Sequence, residues 1–144
     1  MCDWIIGSRI NTTLGRIQKF LTKISTCDSV EILKHAEREL EEYFQGERQS
    51  FDIPLAPYGS PFQLLVWEGL TTVAYGRTMS YKRIAEQILC QNSVRAVANA
   101  IGANPLSIFI PCHRIIGSDG SLSGYAGGVE AKKYLLNLEA YNHL

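Results

Sequence analysis

An apolar run that leads into a Pro-Cys-His-Arg sequence constrains this chain more than any other feature. Residues 106–110 contain four apolar side chains and the polar Ser107, and Pro111-Cys112-His113-Arg114 follows directly. A short apolar run bounded by turn residues predicts a buried strand, which would hold Cys112 at one place in the fold. A thiol becomes a strong nucleophile when imidazole or cationic groups hold it as thiolate. On these residues alone, Cys112 is either such a nucleophile or an inert core cysteine.

The length allows one domain with a well-packed core, since the chain has 144 residues. No apolar run is long enough to span a bilayer, and no cationic start leads into an apolar signal segment. We therefore expect an intracellular, cytoplasmic protein that does not contact a membrane. None of the cysteines forms a C-x-x-C pair, so we expect free thiols and not a disulfide framework. The cysteines are Cys2, Cys27, Cys90 and Cys112.

Charge is distributed unevenly along a chain whose formal net charge is zero. Residues 1–75 carry 7 basic and 10 acidic side chains, a net of −3, whereas residues 76–144 carry 7 basic and 4 acidic side chains, a net of +3. Within 77–114 the only acidic residue is Glu86, and the basic residues are Arg77, Lys82, Arg83, Arg95 and Arg114. A locally basic face suits a phosphate-bearing partner, and the alternative is a solvated face without a partner.

The N-terminal part contains one clear helical pattern. Asp28 and Glu31 have capping-box spacing and Gly46 is a typical helix end, so we predict an amphipathic helix over about 29–45. Its predicted buried stripe is Ile32, Leu33, Ala36, Leu40, Tyr43 and Phe44. Its predicted solvated face is Glu37, Glu39, Glu41 and Glu42. Residues 51–55 alternate like an edge strand or an extended linker, and the start of the chain indicates a strand at 4–6 and a helix over 13–23.

Pro57 and Gly59 mark the boundary that we predict between a region 1–56 and a region 57–144. Ser60-Pro61-Phe62-Gln63 then begins a helix with a Ser cap and Pro at its first position. The predicted buried stripe of this helix is Phe62, Leu65, Val66, Gly69, Leu70 and Val73. Ser80 caps the next helix.

A third helix, at about 93–101, has one face of small residues. Two short helices joined by a tight turn predict a helix-turn-helix, with compact three-helix packing as the alternative. A last helix spans about 129–140.

The ordered set of motifs resembles the O6-alkylguanine-DNA alkyltransferase family over about residues 59–141. Pro111-Cys112-His113-Arg114 is its most specific member. The others are Pro61-Phe62-Gln63, Val66-Trp67, Tyr75-Gly76, Ser80-Tyr81, Arg95-Ala96-Val97, Asn104-Pro105, Gly124-Tyr125-Ala126-Gly127-Gly128, Lys132, Leu135-Leu136 and Glu139. The resemblance is weaker over 31–55.

The family's fold implies an α+β protein. Its C-terminal domain would be mostly helical and winged-helix-like, with a helix-turn-helix and an active-site strand. A short, truncated N-terminal segment would precede this domain, because residues 1–30 do not show the strands of the family's RNase-H-like sheet.

The resemblance implies stoichiometric DNA repair, in which Cys112 accepts the alkyl group of an O6-alkylguanine in double-stranded DNA after base flipping. It makes His113 the base for the thiol, acting through a water molecule, and makes Glu139 the partner of His113. It makes Asn104 the residue that orders the turn before the cysteine. Tyr81 would push the target phosphate and donate a proton to the departing guanine.

From the residues alone, Glu139 could instead form a surface ion pair with Lys132 or Lys133, and Tyr81 could be a core tyrosine.

The resemblance also assigns the DNA-binding and pocket residues. Arg95 would fill the gap that the flipped base leaves, and a narrow helix face would enter a minor groove roughly 6 Å wide. The DNA-binding set is Arg95, Ala96, Ala98, Asn99, Tyr81 and Arg114. The substrate-pocket set is Tyr125, Ala126, Gly127, Ile115, Ser107 and Trp67.

Two positions depart from the family pattern. Ala126 stands where a Ser or Thr is common, and Ser107 stands where a Pro is frequent, so the range of accepted alkyl groups is open. Cys2, Cys27 and His35 do not have the spacing of a zinc site, and we expect no metal, no cofactor and a monomer. The competing interpretation is a non-catalytic relative that binds alkylated DNA and recruits repair factors.

Overall fold

The computed structural model describes residues 28–142, so the strand predicted at 4–6 and the helix predicted at 13–23 lie outside the described residues. The helices are α1 (Asp28–Phe44), α2 (Pro61–Thr71), α3 (Tyr81–Gln87), α4 (Val94–Gly102) and α5 (Val129–Tyr141). The strands are β1 (Met79–Ser80) and β2 (Ile115–Ile116), and 3-10 turns lie at Gln91–Ser93 and Cys112–Arg114. The predicted α+β class with a mostly helical C-terminal domain is confirmed. No helix in the described range has the length and apolar character needed to cross a membrane.

Helix α1 buries only part of the predicted stripe and buries Glu39 with it. Gly46 ends it with a left-handed φ of 79°, as expected. Glu39 and Tyr43 are fully buried, whereas Ile32 and Leu33 are 46% and 60% exposed. The prediction that Glu39 is solvated is therefore wrong.

The cause is the segment that folds back after α1. The backbone N–H groups of Asp52 and Ile53 donate to the Glu39 carboxylate, and Arg48 pairs with it at 3.2 Å. A buried carboxylate is stable when it has such partners. These bonds hold residues 48–53 across α1 as an extended linker without strand pairing, which decides between the two interpretations of residues 51–55.

Helix α2 begins with the predicted capping box. The Ser60 side chain accepts from the backbone N–H of Gln63, and the Gln63 side chain accepts from the backbone N–H of Ser60. Trp67 is buried in the core and donates a 2.8 Å hydrogen bond from its indole Nε1 to the carbonyl of Ala100 in α4. The prediction that Trp67 lines a substrate pocket is therefore wrong, because its ring supports α4 from beneath.

Helices α3 and α4 form the predicted helix-turn-helix. The Ser80 side chain caps α3 by accepting from the backbone N–H of Arg83. Leu89 occupies the turn with a left-handed φ of 58°. In α4, the buried residues are Val97, Ala100 and Ile101, which leaves the small-residue face of this helix outward.

The segment before the cysteine is a turn and not the predicted strand. The side chain of Asn104 donates to the carbonyl of Ile110 and accepts from the backbone N–H of Leu106. These are backbone groups that a sheet would otherwise pair, so the chain coils around the Asn104 carboxamide. The strand of this region is β2, which follows the cysteine and pairs in parallel with β1 through Met79–Ile115 and Ser80–Ile116.

Candidate active site

Cys112 lies at the start of the 3-10 turn and is only 4% exposed. The Nδ2 atom of Asn104 donates to its Sγ atom at 3.1 Å. Burial raises the pKa of the Cys112 thiol, while hydrogen bonds from Asn104 and Ser107 and the charge of Lys132 oppose that rise. The thiol is thus neutral at rest and is surrounded by groups that stabilise the thiolate once it forms.

His113 and Glu139 form the acid–base pair beside this thiol. Both side chains are fully buried, and Nε2 of His113 lies 2.7 Å from Oε1 of Glu139. Burial opposes the charge of Glu139, but hydrogen bonds from His113 and Arg114 outweigh it and lower the pKa of Glu139 to about 2. An ionised carboxylate only accepts hydrogen bonds, so Nε2 of His113 carries the proton of this bond.

The other ring nitrogen of His113 is available as a proton acceptor. Nδ1 is buried and has no hydrogen-bond partner among the described residues. Burial lowers the pKa of His113 more than the contact with Glu139 raises it, so the imidazole is neutral at pH 7. A neutral imidazole with a free lone pair accepts a proton, and a carboxylate behind it stabilises the imidazolium that results.

Glu139 has further donors that remove it from the protein surface. The backbone N–H of Gly76 donates to Oε2 at 3.0 Å, and the hydroxyl of Tyr43 donates to Oε1 at 2.8 Å. Arg114 donates to both oxygens through Nε and to Oε1 through Nη2. The alternative of a surface ion pair with Lys132 or Lys133 is therefore wrong.

Arg114 is a structural partner of the active site and not a DNA contact. Its guanidinium is buried, bonds Glu139, and donates from Nη1 to the carbonyl of Val73 at 2.6 Å. The prediction that Arg114 binds DNA is wrong, because its donors point into the core. The motif alone could not distinguish an inward from an outward arginine, since the deciding partner lies 25 residues away.

Lys132, which belongs to the family motifs, is not the surface charge that the ion-pair alternative assumed. It is fully buried and its Nζ atom donates to the carbonyls of Ile115 and Ser123. It therefore connects α5 to β2 and to the loop 117–128. A signal for this burial was present, because Lys132 shares the helical stripe of Leu135 and Glu139, the buried residues of α5.

A cleft of about 570 Å³ lies between α4 and the loop 117–128. Most of the predicted DNA-binding residues meet in it. Its lining is Tyr81, Val94, Arg95, Ala98, Asn99, Gly102, Ser123 and Gly124. Ala96 is exposed on the same helix but does not line the cleft.

Tyr81 lines this cleft and interacts electrostatically with Cys112. It is half-buried, and its hydroxyl donates to the carbonyl of Ser123 at 2.9 Å. Its pKa is raised by burial and then by the charge of Cys112. Gly124 lies against this hydroxyl and has a left-handed φ of 72°. A Cβ at this position would lie 2.6 Å from the Tyr81 oxygen, so only glycine fits.

Of the predicted pocket residues, Tyr125 and Ser107 contact the Cys112–His113 segment. Tyr125 is buried with its ring edge-to-face with the His113 ring at 6.5 Å. Ser107 is buried and hydrogen-bonds the thiol. Ala126 and Gly127 are half-buried in the loop 117–128, and the carbonyl of Ile115 is held by Lys132. Residues 28–142 contain no group of three His, Cys, Asp or Glu side chains arranged to hold a metal ion.

The fold and the site are those of a helix-turn-helix protein with a buried cysteine next to a histidine–glutamate pair. The chain matches the ribonuclease-like domain of 6-O-methylguanine DNA methyltransferase over residues 11–57 and the DNA binding domain over residues 61–141. The chain belongs to this family. The likeness reaches further towards the N-terminus than the motifs at 31–55 indicated.

Individual relatives agree with the family match. The chain is 48% identical over 115 residues to a methylated-DNA–protein-cysteine methyltransferase of Methanosarcina barkeri, covering 80% of this chain and 73% of the relative. It is 50% identical over 101 residues to the inducible enzyme of Bacillus subtilis, covering 70% and 56%. Among solved structures, Mycobacterium tuberculosis OGT in complex with DNA aligns with a TM-score of 0.74 at 46% identity, covering 76% of this chain and 68% of that chain.

Proposed function

We propose that this protein repairs DNA by moving an alkyl group from the O6 atom of guanine to Cys112, once per protein molecule. The observation that carries the proposal is the buried Cys112 beside the His113–Glu139 pair, whose Nε2–Oε1 distance is 2.7 Å. An inert core cysteine does not need an oriented base. The partner is double-stranded DNA that contains O6-alkylguanine. The protein acts as a monomer in the cytoplasm, without a cofactor.

The chemistry is a single displacement with a balanced proton path. The Cys112 thiol proton moves to Nδ1 of His113, through a water molecule, and Glu139 stabilises the imidazolium. The sulfur then forms a bond to the alkyl carbon as the carbon–O6 bond breaks. The electron pair of that bond goes to guanine, which takes a proton from the Tyr81 hydroxyl. The proton on His113 is then released to water and Tyr81 takes one from water, so both side chains end neutral. The alkyl group stays on the Cys112 sulfur as a stable thioether, so each protein molecule reacts once.

Access to the base requires flipping, because the O6 alkyl group is hidden in the duplex. Helix α4 presents small residues around Arg95, and such a face suits the narrow minor groove. We assign Arg95 to the gap in the stack and Tyr81 to the rotated phosphate. The pocket for the flipped base is formed by Tyr125, by the backbone near Gly127 and by the carbonyl of Ile115. Ala126 lacks a hydroxyl, so its backbone N–H is the group available to the base.

Arg95→Ala is expected to separate flipping from bond formation. Without the guanidinium, nothing fills the gap that the flipped base leaves in the stack. Unstacking and unpairing that base costs a few kcal/mol, and this cost is then not offset. We expect the transfer rate from duplex DNA to fall by about 10- to 100-fold, while transfer from a single-stranded oligonucleotide changes little. Single-turnover transfer of a labelled methyl group from both substrates measures this ratio.

Arg38→Ala is the matched control, because it removes an exposed arginine from α1. It should leave both rates near those of the wild type. Equal loss of duplex and single-strand transfer in Arg95→Ala would contradict a role in flipping.

Peptide mapping after reaction tests the proposed function. Wild-type protein mixed with O6-methylguanine duplex should carry a methyl group on the peptide of Cys112 and none on the peptide of Cys90, the other free cysteine among residues 28–142. Selective binding of the lesion without any methylated peptide would instead support the non-catalytic alternative.

A further inference from the structure

Tyr43 links the N-terminal helix α1 to the acid–base pair, and no motif in the sequence assigned it a role. Its side chain is fully buried. Its hydroxyl donates a 2.8 Å hydrogen bond to Oε1 of Glu139, across 96 residues of sequence. Nε2 of His113 lies 2.7 Å from the same oxygen atom. Oε1 of Glu139 therefore accepts hydrogen bonds from both the phenol of Tyr43 and the imidazole of His113.

The surrounding rings fix the direction of the Tyr43 hydroxyl. The Tyr43 ring meets Tyr75 edge-to-face at 6.0 Å and lies 5.5 Å from Phe51 in the linker after α1. The ring of Tyr75 in turn lies beneath the guanidinium of Arg114, 5.6 Å from the ring centroid. Contacts of this kind restrict rotation of the aromatic ring, so the hydroxyl is directed at Glu139 by packing.

Because Tyr43 and His113 share one oxygen atom of Glu139, each weakens the hydrogen bond of the other. A carboxylate that accepts a strong hydrogen bond from a phenol has less negative charge to offer to a second donor on the same oxygen. We propose that Tyr43 is a positioning residue that limits how strongly Glu139 stabilises the imidazolium of His113. This inference rests on the proposed transfer to Cys112. It makes α1 part of the reaction machinery.

The other charged groups around the pair stay constant when the Tyr43 hydroxyl is removed. Burial, Arg114 and Lys132 lower the pKa of His113, and Glu139 raises it. Around Tyr43 the titratable neighbours are Glu139, Arg114 and Tyr75. Tyr43→Phe removes one donor from Oε1 and leaves the rings, Arg114 and the N–H of Gly76 in place. Glu139 then interacts more strongly with His113, so the pKa of His113 should rise.

The test measures alkylation of Cys112 by iodoacetamide against pH, read by peptide mapping. Because the resting thiol and imidazole are both neutral, the acid midpoint of this profile follows the pKa of His113, and the plateau follows the fraction of thiolate–imidazolium pair. In Tyr43→Phe we expect the acid midpoint to rise by about half a unit and the plateau rate to rise about threefold. Tyr134→Phe on α5, which removes a hydroxyl from a 55%-exposed ring, is the matched control and should match the wild type.

Tyr43→Leu separates the hydroxyl from the ring. It should show the same upward shift and, unlike Tyr43→Phe, a clearly lower melting temperature. A folded Tyr43→Phe protein with an unchanged or lower midpoint would overturn the proposal. Iodoacetamide does not involve DNA, so a protein that reacts with it but accepts no methyl group from DNA would refute the proposed function and leave the result on Tyr43 standing.

Discussion

Glu139→Gln is expected to destabilise the protein by about 3–5 kcal/mol at pH 7, because removing one partner of a buried ion pair leaves the other uncompensated. The charge left without a counter-ion is the guanidinium of Arg114, which is buried and donates hydrogen bonds to both oxygens of Glu139. The amide also cannot stabilise the His113 imidazolium as a carboxylate does. We therefore expect the rate of methyl transfer to fall by about 100-fold or more.

The pH dependence of stability should identify the same carboxylate. The folded pKa of Glu139 is about 2, against an ordinary value of 4.5. A depressed pKa contributes stability above the unfolded pKa and loses it as the pH falls towards the folded pKa. The difference corresponds to about 3 kcal/mol. The stability gap between the wild type and Glu139→Gln should therefore be constant near neutral pH and should narrow between about pH 5 and pH 2.

Urea unfolding at a series of pH values measures this gap. Glu130→Gln is the matched control, because it makes the same change at an exposed position in the first turn of α5. That variant should keep the wild-type transfer rate. A Glu139→Gln protein with wild-type stability at pH 7 would contradict the buried network around Glu139.

Lys132→Met is expected to weaken both the pocket and the thiolate. The Nζ atom of Lys132 bonds the carbonyls of Ile115 and Ser123, and an unsatisfied buried carbonyl costs about 1–3 kcal/mol. Lys132 also provides a positive charge that opposes the burial-driven rise in the pKa of Cys112. Its loss should raise the pKa of the thiol and release the loop 117–128 from β2.

We expect the transfer rate of Lys132→Met to fall about tenfold, as a shift of one unit in the pKa of the thiol would produce. Lys133→Met is the matched control, because it makes the same change at the neighbouring lysine, which is exposed. Thermal unfolding and single-turnover transfer at several pH values measure the two effects. If Lys132→Met and Lys133→Met behaved alike in both assays, the buried lysine would have no role in the reaction.

Local signals predicted the helices well because their physical causes lie within a few residues. The Ser60 and Gln63 cap and the Ser80 cap are bonds between residues three apart. Gly46 ends α1 through a backbone conformation that non-glycine residues avoid. Periodicity predicted α2 for the same reason, since residues three and four positions apart lie on one face of a helix.

Two of the failures have a different cause, which is a partner distant in sequence. Trp67 and Arg114 belong to family motifs, yet the carbonyl of Ala100 and the carboxylate of Glu139 bind them in the core. Local pattern could not show these two bonds, because each depends on how separate elements pack. The run 106–110 has a local cause: its composition is that of a strand, but the nearby side chain of Asn104 takes backbone groups that a strand would pair.

The candidate site was predictable in its residue types but not in its electrostatics. The sequence suggested Cys112, His113 and Glu139, and the structure brings these residues together. The apolar stripe of α1 predicted that Tyr43 is buried, but the sequence did not indicate which groups Tyr43 and Lys132 would bind. Their hydrogen bonds to Glu139 and to the carbonyls of Ile115 and Ser123 depend on how α1, β2 and α5 pack.

The intact mass of the protein after reaction shows whether Cys112 accepts the methyl group. Wild-type protein is incubated under reducing conditions with an excess of O6-methylguanine duplex, and Cys112→Ala is treated in parallel. We predict that the wild-type mass rises by one methyl group and then stays constant however much DNA is added, while the mass of Cys112→Ala does not change. An unchanged wild-type mass, or an equal gain in Cys112→Ala, would contradict methyl transfer to Cys112.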